Sequence, residues 1–239
     1  MTPRMHGLWV YLSTSPLLGL TLTLLAYQAA WWVHRRAGFS PLTNPVMLAV
    51  AVLVALLTIT GTPYQSYFDG AQFVHFLLGP ATVALAVPLY TQLRRVRAML
   101  LPVLVGLVLG SVTAMLAAVL VARLFGASLA TQLSLAPKSV TTPIAMGIAE
   151  RVGGIPSLTA VLVISTGILG AVSGRYIFDA LGIGDGAIRG FAMGVAAHGI
   201  GTARAFQESL QSGAFAALAM GMNGVLTALL LPAVISLLT

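Results

Sequence analysis

Long apolar runs separated by short basic or polar clusters dominate the pattern of this chain. The runs fall at residues 8–33, 45–59, 73–90, 100–124, 134–152, 156–178, 190–206 and 213–238. Most approach the roughly 20 residues that a helix needs to cross the hydrocarbon core of a bilayer. The pattern predicts an all-α polytopic membrane protein of about eight hydrophobic segments, folded as a single integral membrane domain over residues 1–239. Aromatic residues bracket the first run, with Trp9 and Tyr11 at one end and Trp31 and Trp32 at the other. That marks a full span rather than a cleaved signal peptide, whose apolar core is only about 7–15 residues.

Composition agrees with the pattern. Hydrophobic residues make up 58% of the chain and charged residues 7%, against about 25% charged in a soluble domain, and the mean hydropathy is +0.98. The net charge of +7 comes from basic clusters between the runs, as membrane topology requires, and no nucleic-acid motif accompanies it. The clusters at residues 34–36, 94–97 and 150–151 are expected in the cytoplasm by the positive-inside rule, with both termini outside. TPYQSYFDG, residues 62–70, reads as an outer interfacial loop, and the connector holding Asp179 and Asp185 is expected outside as well.

Several runs are interrupted. Pro80 and Pro88 flank small residues and Thr82 in the third; Pro137 and Pro143 enclose Ser139, Thr141 and Thr142 in the fifth; Gly199 and Gly201 punctuate the seventh. A proline removes a backbone donor and clashes with the preceding turn, so two or three broken or re-entrant helices are expected. In lipid such breaks survive only where backbone is buried in protein or lines a wet cavity. GPATVALAVP followed by a span led by Pro102 resembles APKSVTTPIA followed by one led by Pro156, an internal repeat with a period near 57 residues. Paired interrupted segments in two halves point to a transporter site. Hydropathy alone makes the two segments run the same way, so an inverted repeat requires one of them to re-enter.

Lys138 is the only lysine of the chain and lies in the fifth run. A charge at bilayer depth costs about 2.5–3.5 kcal/mol on insertion scales and marks a functional site by default. If the helix restarts after Pro137, Lys138, the hydroxyls of Ser139, Thr141 and Thr142 and a helix N-terminus converge as an anion site; the alternative is a lysine that snorkels beside kinking prolines. His198 and Thr202 are four apart on one helix face, with Arg204 at its inner end. They belong to the binding site, or His198 is a core histidine bonded to a backbone carbonyl. The acidic residues Asp69, Glu150, Asp179, Asp185 and Glu208 fall in loops or at helix ends by this reading. With no intramembrane carboxylate, an anionic substrate is favoured over cation or proton exchange, while sodium held by backbone carbonyls stays open. Without cysteine, HExxH or GxSxG, neither an enzyme, a metal nor a cofactor is expected.

The two motifs in order, APKSVTTPIAMGIAERVGGIPSLTA and AAHGIGTARAFQ, in an eight-segment chain of this size, resemble the LrgB/CidB family (antiholin-like LrgB) over essentially the whole length. The resemblance implies a multi-pass protein of the bacterial cytoplasmic (inner) membrane. It would be the larger partner of a two-component system whose smaller partner is an LrgA/CidA-like, holin-like membrane protein. It implies modulation of murein hydrolase activity and autolysis, and transport of small monocarboxylates: glycolate and glycerate through the plastid translocators, and pyruvate and similar acids such as lactate through bacterial relatives. The plastid relatives carry the holin-like half fused in front, so a separate partner is expected here. Two functions follow: a carrier of small monocarboxylates, or an antiholin-like pore component acting through oligomerisation.

Overall fold

The structure is a computed structural model that describes residues 16–238. Arg4, His6, Trp9 and Tyr11 lie outside the described residues. No strand occurs among the described residues, as an all-α membrane protein requires. The chain divides into two compact units, one up to Ala84 and one from Leu85.

The first unit contains α1 (Pro16–Arg36), a 3-10 turn (Pro41–Thr43), α2 (Pro45–Thr60), α3 (Tyr64–Phe76) and α4 (Leu78–Ala84). Asn44 caps α2, its Oδ1 accepting from Val46 N at 2.9 Å and Met47 N at 3.2 Å. Gly61, at φ 65°, ends the helix. The Thr23 and Tyr67 hydroxyls tie α1 to α3 at 2.7 Å. Residues 64–70, expected as an outer loop, are the start of α3. A helix satisfies every interior backbone group internally, which lipid demands of polar and apolar sequence alike. Asp69 therefore lies on a helix, where its Oδ1 accepts from Gln65 Nε2 one turn away at 3.0 Å.

The second unit contains α5 (Ala86–Thr91), α6 (Leu93–Ala98), α7 (Leu100–Leu124), α8 (Leu129–Leu135), α9 (Thr142–Val152), α10 (Pro156–Ala180), α11 (Gly186–Glu208) and α12 (Leu210–Leu238). Single turn residues at Leu77, Leu85 and Met99 interrupt the path from α3 to α7. Each stands three residues before a proline, Pro80, Pro88 or Pro102. Those prolines fall in the first turn of the next helix, where the missing N–H has no intrahelical acceptor. The turn at Gln92 has no such proline.

Packing fixes the direction of each long helix. Val103 packs with Ala187 and Phe215, and Leu107 with Val195 and Ala219. Further along, Met115 and Val119 pack on the cluster that holds Leu231, beside Ile235. So α7, the first arm of α11 and α12 run the same way. α10 runs against them, because Val163 joins Leu231 while Ala171 and Phe178 join Met193, Ala205 and Ala216. Arg95 Nη2 meets Asp185 Oδ2 at 2.6 Å, so the start of α7 and the end of α10 share one end of the unit, the Arg95 end. A helix of 25 residues is about 37 Å long, which puts the end of α7 and the start of α10 at the other, the Arg151 end.

The segments between these helices must therefore return to the end they left. Residues 129–152 enter and leave at the Arg151 end as a re-entrant hairpin, α8 inward and α9 outward. Ser134 Oγ ties α8 to the start of α10 by accepting from Ile155 N at 2.7 Å. α11 is a second hairpin, entered from the Arg95 end. Its residue His198 has φ 42° and ψ −132°, which reverses the chain, so that Gly201 lies against Met193 and Ala197. Gly190 and Gly194 seat the inward arm directly on the Ser212 and Ala216 carbonyls of α12, a close small-residue contact.

Two sequence expectations change. The Asp179–Asp185 connector is on the same side as residues 94–97, since Arg95 and Asp185 are paired, and residues 150–151 are on the opposite side. Counting the fifth run as a full crossing caused both errors. Among the described residues five helices are long and apolar enough to cross a membrane, and neither hairpin is one of them. Arg94, Arg97, Arg175 and Arg189 join Arg95 at its end, against Arg123 and Arg151 at the other, so the positive-inside rule favours the Arg95 end as the cytoplasmic one.

The unit contains an inverted repeat. Moved by 56 residues, Leu100 reaches Pro156, Leu124 reaches Ala180 and Val152 reaches Glu208, the bounds of the corresponding helices. The turns that end α7 and α10 match bond for bond. Gly126 N donates to Arg123 O and Ala127 N to Ala122 O, as Gly182 N does to Asp179 O and Ile183 N to Phe178 O. Gly126 and Gly182 both take positive φ, 73° and 66°. The spans led by Pro102 and Pro156 do correspond; what repeats with them is the hairpin that follows each, not the proline-rich segment that precedes it.

Candidate functional site

The first hairpin turns between α8 and α9 over residues 136–141. Pro137 opens the turn, with Val140 N donating to Pro137 O at 3.2 Å and Lys138 N to Leu135 O at 3.1 Å. The helix restarts at Thr142 with Pro143 in its first turn, so Lys138 precedes the helix N-terminus by four residues instead of occupying it. Thr141 is the residue before α9 and its side chain does not cap the helix. The first-turn N–H groups of α9 therefore have no side-chain acceptor there. Lys138 is half-buried, and its Nζ donates to Ser139 Oγ at 3.3 Å. Among the described residues no carboxylate forms an ion pair with it.

The second hairpin turns at His198, one residue before the expected break at Gly199. Gly167 and Gly170 of α10 receive the turn. A Cβ on Gly167 would lie 2.7 Å from His198 Cε1, and one on Gly170 would lie 2.6 Å from the Ala197 methyl. His198 Nε2 meets the Val163 carbonyl at 3.0 Å. Thr202 Oγ1 donates to His198 O at 2.8 Å, stapling the outward arm to the turn. Gly201 gives the room for reversal, whereas a Cβ on Gly199 would meet nothing closer than Met220 Sδ at 3.9 Å.

The two turns meet. Residues 139 and 195 are held by one side chain of α12. Asn223, in the middle of α12 and 1% exposed, donates from Nδ2 to Ser139 O and to Val195 O, both at 3.1 Å. Thr227 Oγ1 donates to Asn223 Oδ1 at 3.5 Å and lies 3.4 Å from Ser111 Oγ. Asn223 and Thr227 escaped the sequence analysis; the signal was two polar residues four apart in an otherwise apolar span.

Arg204 has two partners on its own arm of the hairpin. Its Nη1 donates to Gln207 Oε1 at 3.0 Å and its Nε lies 3.8 Å from Glu208 Oε1, on the way back to the Arg95 end. Pro80 and Pro88 lie away from both turns in sequence and serve the helix interruptions described above. No group of three or more His, Asp or Glu that could hold a metal occurs among the described residues. What the meeting point offers is one cation without a counter-ion among the described residues, a serine hydroxyl, an imidazole and the open first turn of α9, an arrangement suited to a small anion. A groove lined by Pro143, Ile144, Gly147, Ile148, Arg151, Ala228 and Pro232 runs along α9 toward the Arg151 end.

A family model described as the LrgB-like family matches residues 23–237. The chain is 36% identical over 92% of its length to an uncharacterized protein, YwbG, of Bacillus subtilis, covering 97% of that protein. It is 27% identical to a holin-like protein CidB of Staphylococcus epidermidis, over 92% of this chain and 96% of the relative. It is 28% identical to an antiholin-like protein LrgB of Bacillus cereus, over 91% and 95%. No solved structure matches.

Proposed function

The chain belongs to the LrgB-like family, and from that premise we propose that it is a carrier, not an enzyme, that moves small monocarboxylates of the glycolate, glycerate, lactate or pyruvate class across the bacterial cytoplasmic membrane. The observation that supports this reading is Lys138, without an ion-pair partner among the described residues, at the meeting point of two hairpins that enter from opposite ends. A pore needs no such convergence. A carrier needs one site that each end reaches in turn, and inverted repeats build it from discontinuous helices near the midplane. In this reading Lys138 supplies the counter-charge, Ser139, Thr141, Thr142 and the first turn of α9 donate to the carboxylate oxygens, and His198 closes the far side. Thr202 holds the His198 turn, and Arg204 attracts anions at the cytoplasmic approach. A separate LrgA/CidA-like membrane protein is the proposed partner. The link to murein hydrolase control that the family resemblance implies would follow from the solute moved.

The test is counterflow in liposomes containing the purified protein. Saturable uptake of labelled glycolate, glycerate, lactate or pyruvate, driven by unlabelled acid inside, is the expected result. Unsaturable leak of solutes of many sizes would instead make the protein an antiholin-like pore component.

A further inference from the structure

The two carbonyls that Asn223 binds are related by the repeat. Ser139 moved by 56 residues is Val195, so one side chain outside the repeat holds the same backbone atom in each half. A primary carboxamide has two N–H protons, one for each tip, and both bonds measure 3.1 Å. The Thr227 hydroxyl on Oδ1 fixes which face of the amide points to the carbonyls, because the reversed amide would set its oxygen against two acceptors. One tip belongs to the hairpin based at the Arg151 end and the other to the hairpin based at the Arg95 end.

We infer that Asn223 is the shared latch of two gates, one for each side of the membrane. Each hairpin tip opens toward its own base by giving up one N–H bond, while the second N–H keeps the other tip closed. A single amide thus joins two gates that are remote in sequence, and the closed state of both is the one in which it is fully satisfied. The carrier reading bears on this only through what the gates admit; the latch itself rests on the geometry.

The test reads gate opening without any solute. The chain has no cysteine, so Ser139→Cys and Val195→Cys, made one at a time in the full chain, are its only thiols. Sealed vesicles of each orientation are treated with a membrane-impermeant maleimide. Ser139→Cys is expected to react only from the Arg151 side and Val195→Cys only from the Arg95 side, both slowly. Adding Asn223→Leu, which nearly keeps the volume and removes both donors, is expected to speed both reactions about tenfold, the effect of losing one hydrogen bond per tip, each still from its own side. Thr227→Val leaves the latch in place but frees its orientation, and should speed both labels by a smaller factor even if Asn223 variants fail to accumulate. Unchanged rates in both backgrounds, a response of one label alone, or either label reacting from the wrong side would overturn the latch. Labelling as expected, when the unsubstituted parent chain moves no carboxylate, would keep the latch and overturn the carrier.

Discussion

His198 stands where its backbone favours glycine, and the comparison of His198→Gly with His198→Ala turns that into a sign. Within an ordinary helix alanine is more stable than glycine by about 1 kcal/mol. At φ 42° and ψ −132° a residue with a Cβ carries about 1–3 kcal/mol of strain, and glycine avoids most of it. Both variants lose the 3.0 Å bond from the ring to Val163 O, a net contribution of about 0.5–1.5 kcal/mol, and both leave a void over Gly167. They differ in the backbone, so the glycine variant should exceed the alanine variant by about 1–3 kcal/mol. For a chain of this size 1 kcal/mol moves Tm by about 2–4 °C, which gives a separation of roughly 2–12 °C. Thermal unfolding of the purified proteins in one detergent, followed by loss of the monodisperse chromatographic peak, measures it. Neither variant should transport if the ring lines the site. An alanine variant as stable as the glycine variant, or more so, would refute a reversed backbone at this position.

Gly167→Ala should push the imidazole off Val163 O, since the new methyl would sit 2.7–2.8 Å from two ring atoms. A loss of about 1–3 kcal/mol together with transport, seen as a Tm shift and failed counterflow, is expected; a silent variant would remove His198 from the site. Asp185 caps α11 through Ala187 N and Ile188 N and pairs with Arg95. Desolvation pushes its carboxyl up, but these partners together hold it below the usual carboxylate range. Its contribution is therefore complete above the ordinary pKa of about 3.9 and is lost as pH falls through the lowered value in the folded state. Asp185→Asn keeps the cap and should cost less than about 1 kcal/mol at neutral pH, as an exposed ion pair does, while flattening the stability profile below about pH 4; an unchanged acid profile would contradict this. In the cysteine-free chain, Arg94→Cys and Gly184→Cys should label from the cytoplasm and Arg151→Cys from outside, and Arg151 on the same side as Arg94 would break the re-entrant topology.

What the sequence made legible is what local physics decides. Apolar runs mark α7, α10 and α12 because lipid admits only residues of that kind in number, and Pro137 with Pro143 marks the turn at residues 136–141 because two lost donors cannot sit inside one helix. Whether a broken segment crosses or returns is decided by which residues face one another, such as Arg95 and Asp185, and no period in the chain carries that information. The break at His198 was attributed to its glycine neighbours, the usual occupants of unusual backbone. Histidine can hold it because Gly167, 31 residues earlier in the chain, leaves space for the ring. Residues 64–70 look like a loop by composition, yet backbone hydrogen bonding in lipid outweighs side-chain polarity. Asn223 went unnoticed because a single amide barely lowers the hydropathy of its span, although its two protons join the halves of the site.

Lys138→Ala in the counterflow assay tests the central claim most directly. In the proposed site the carboxylate is held by charge-assisted bonds worth about 1.5–3 kcal/mol, so removing the ammonium should weaken affinity for glycolate, lactate and pyruvate about ten- to a hundredfold. Insertion and abundance should stay close to parental, because the side chain is bonded only to Ser139 Oγ among the described residues. Arginine at this position should restore part of the transport, its planar guanidinium fitting a site shaped for an ammonium imperfectly. Parental affinity and rate in Lys138→Ala would contradict the placement of a carboxylate site where the two hairpins meet.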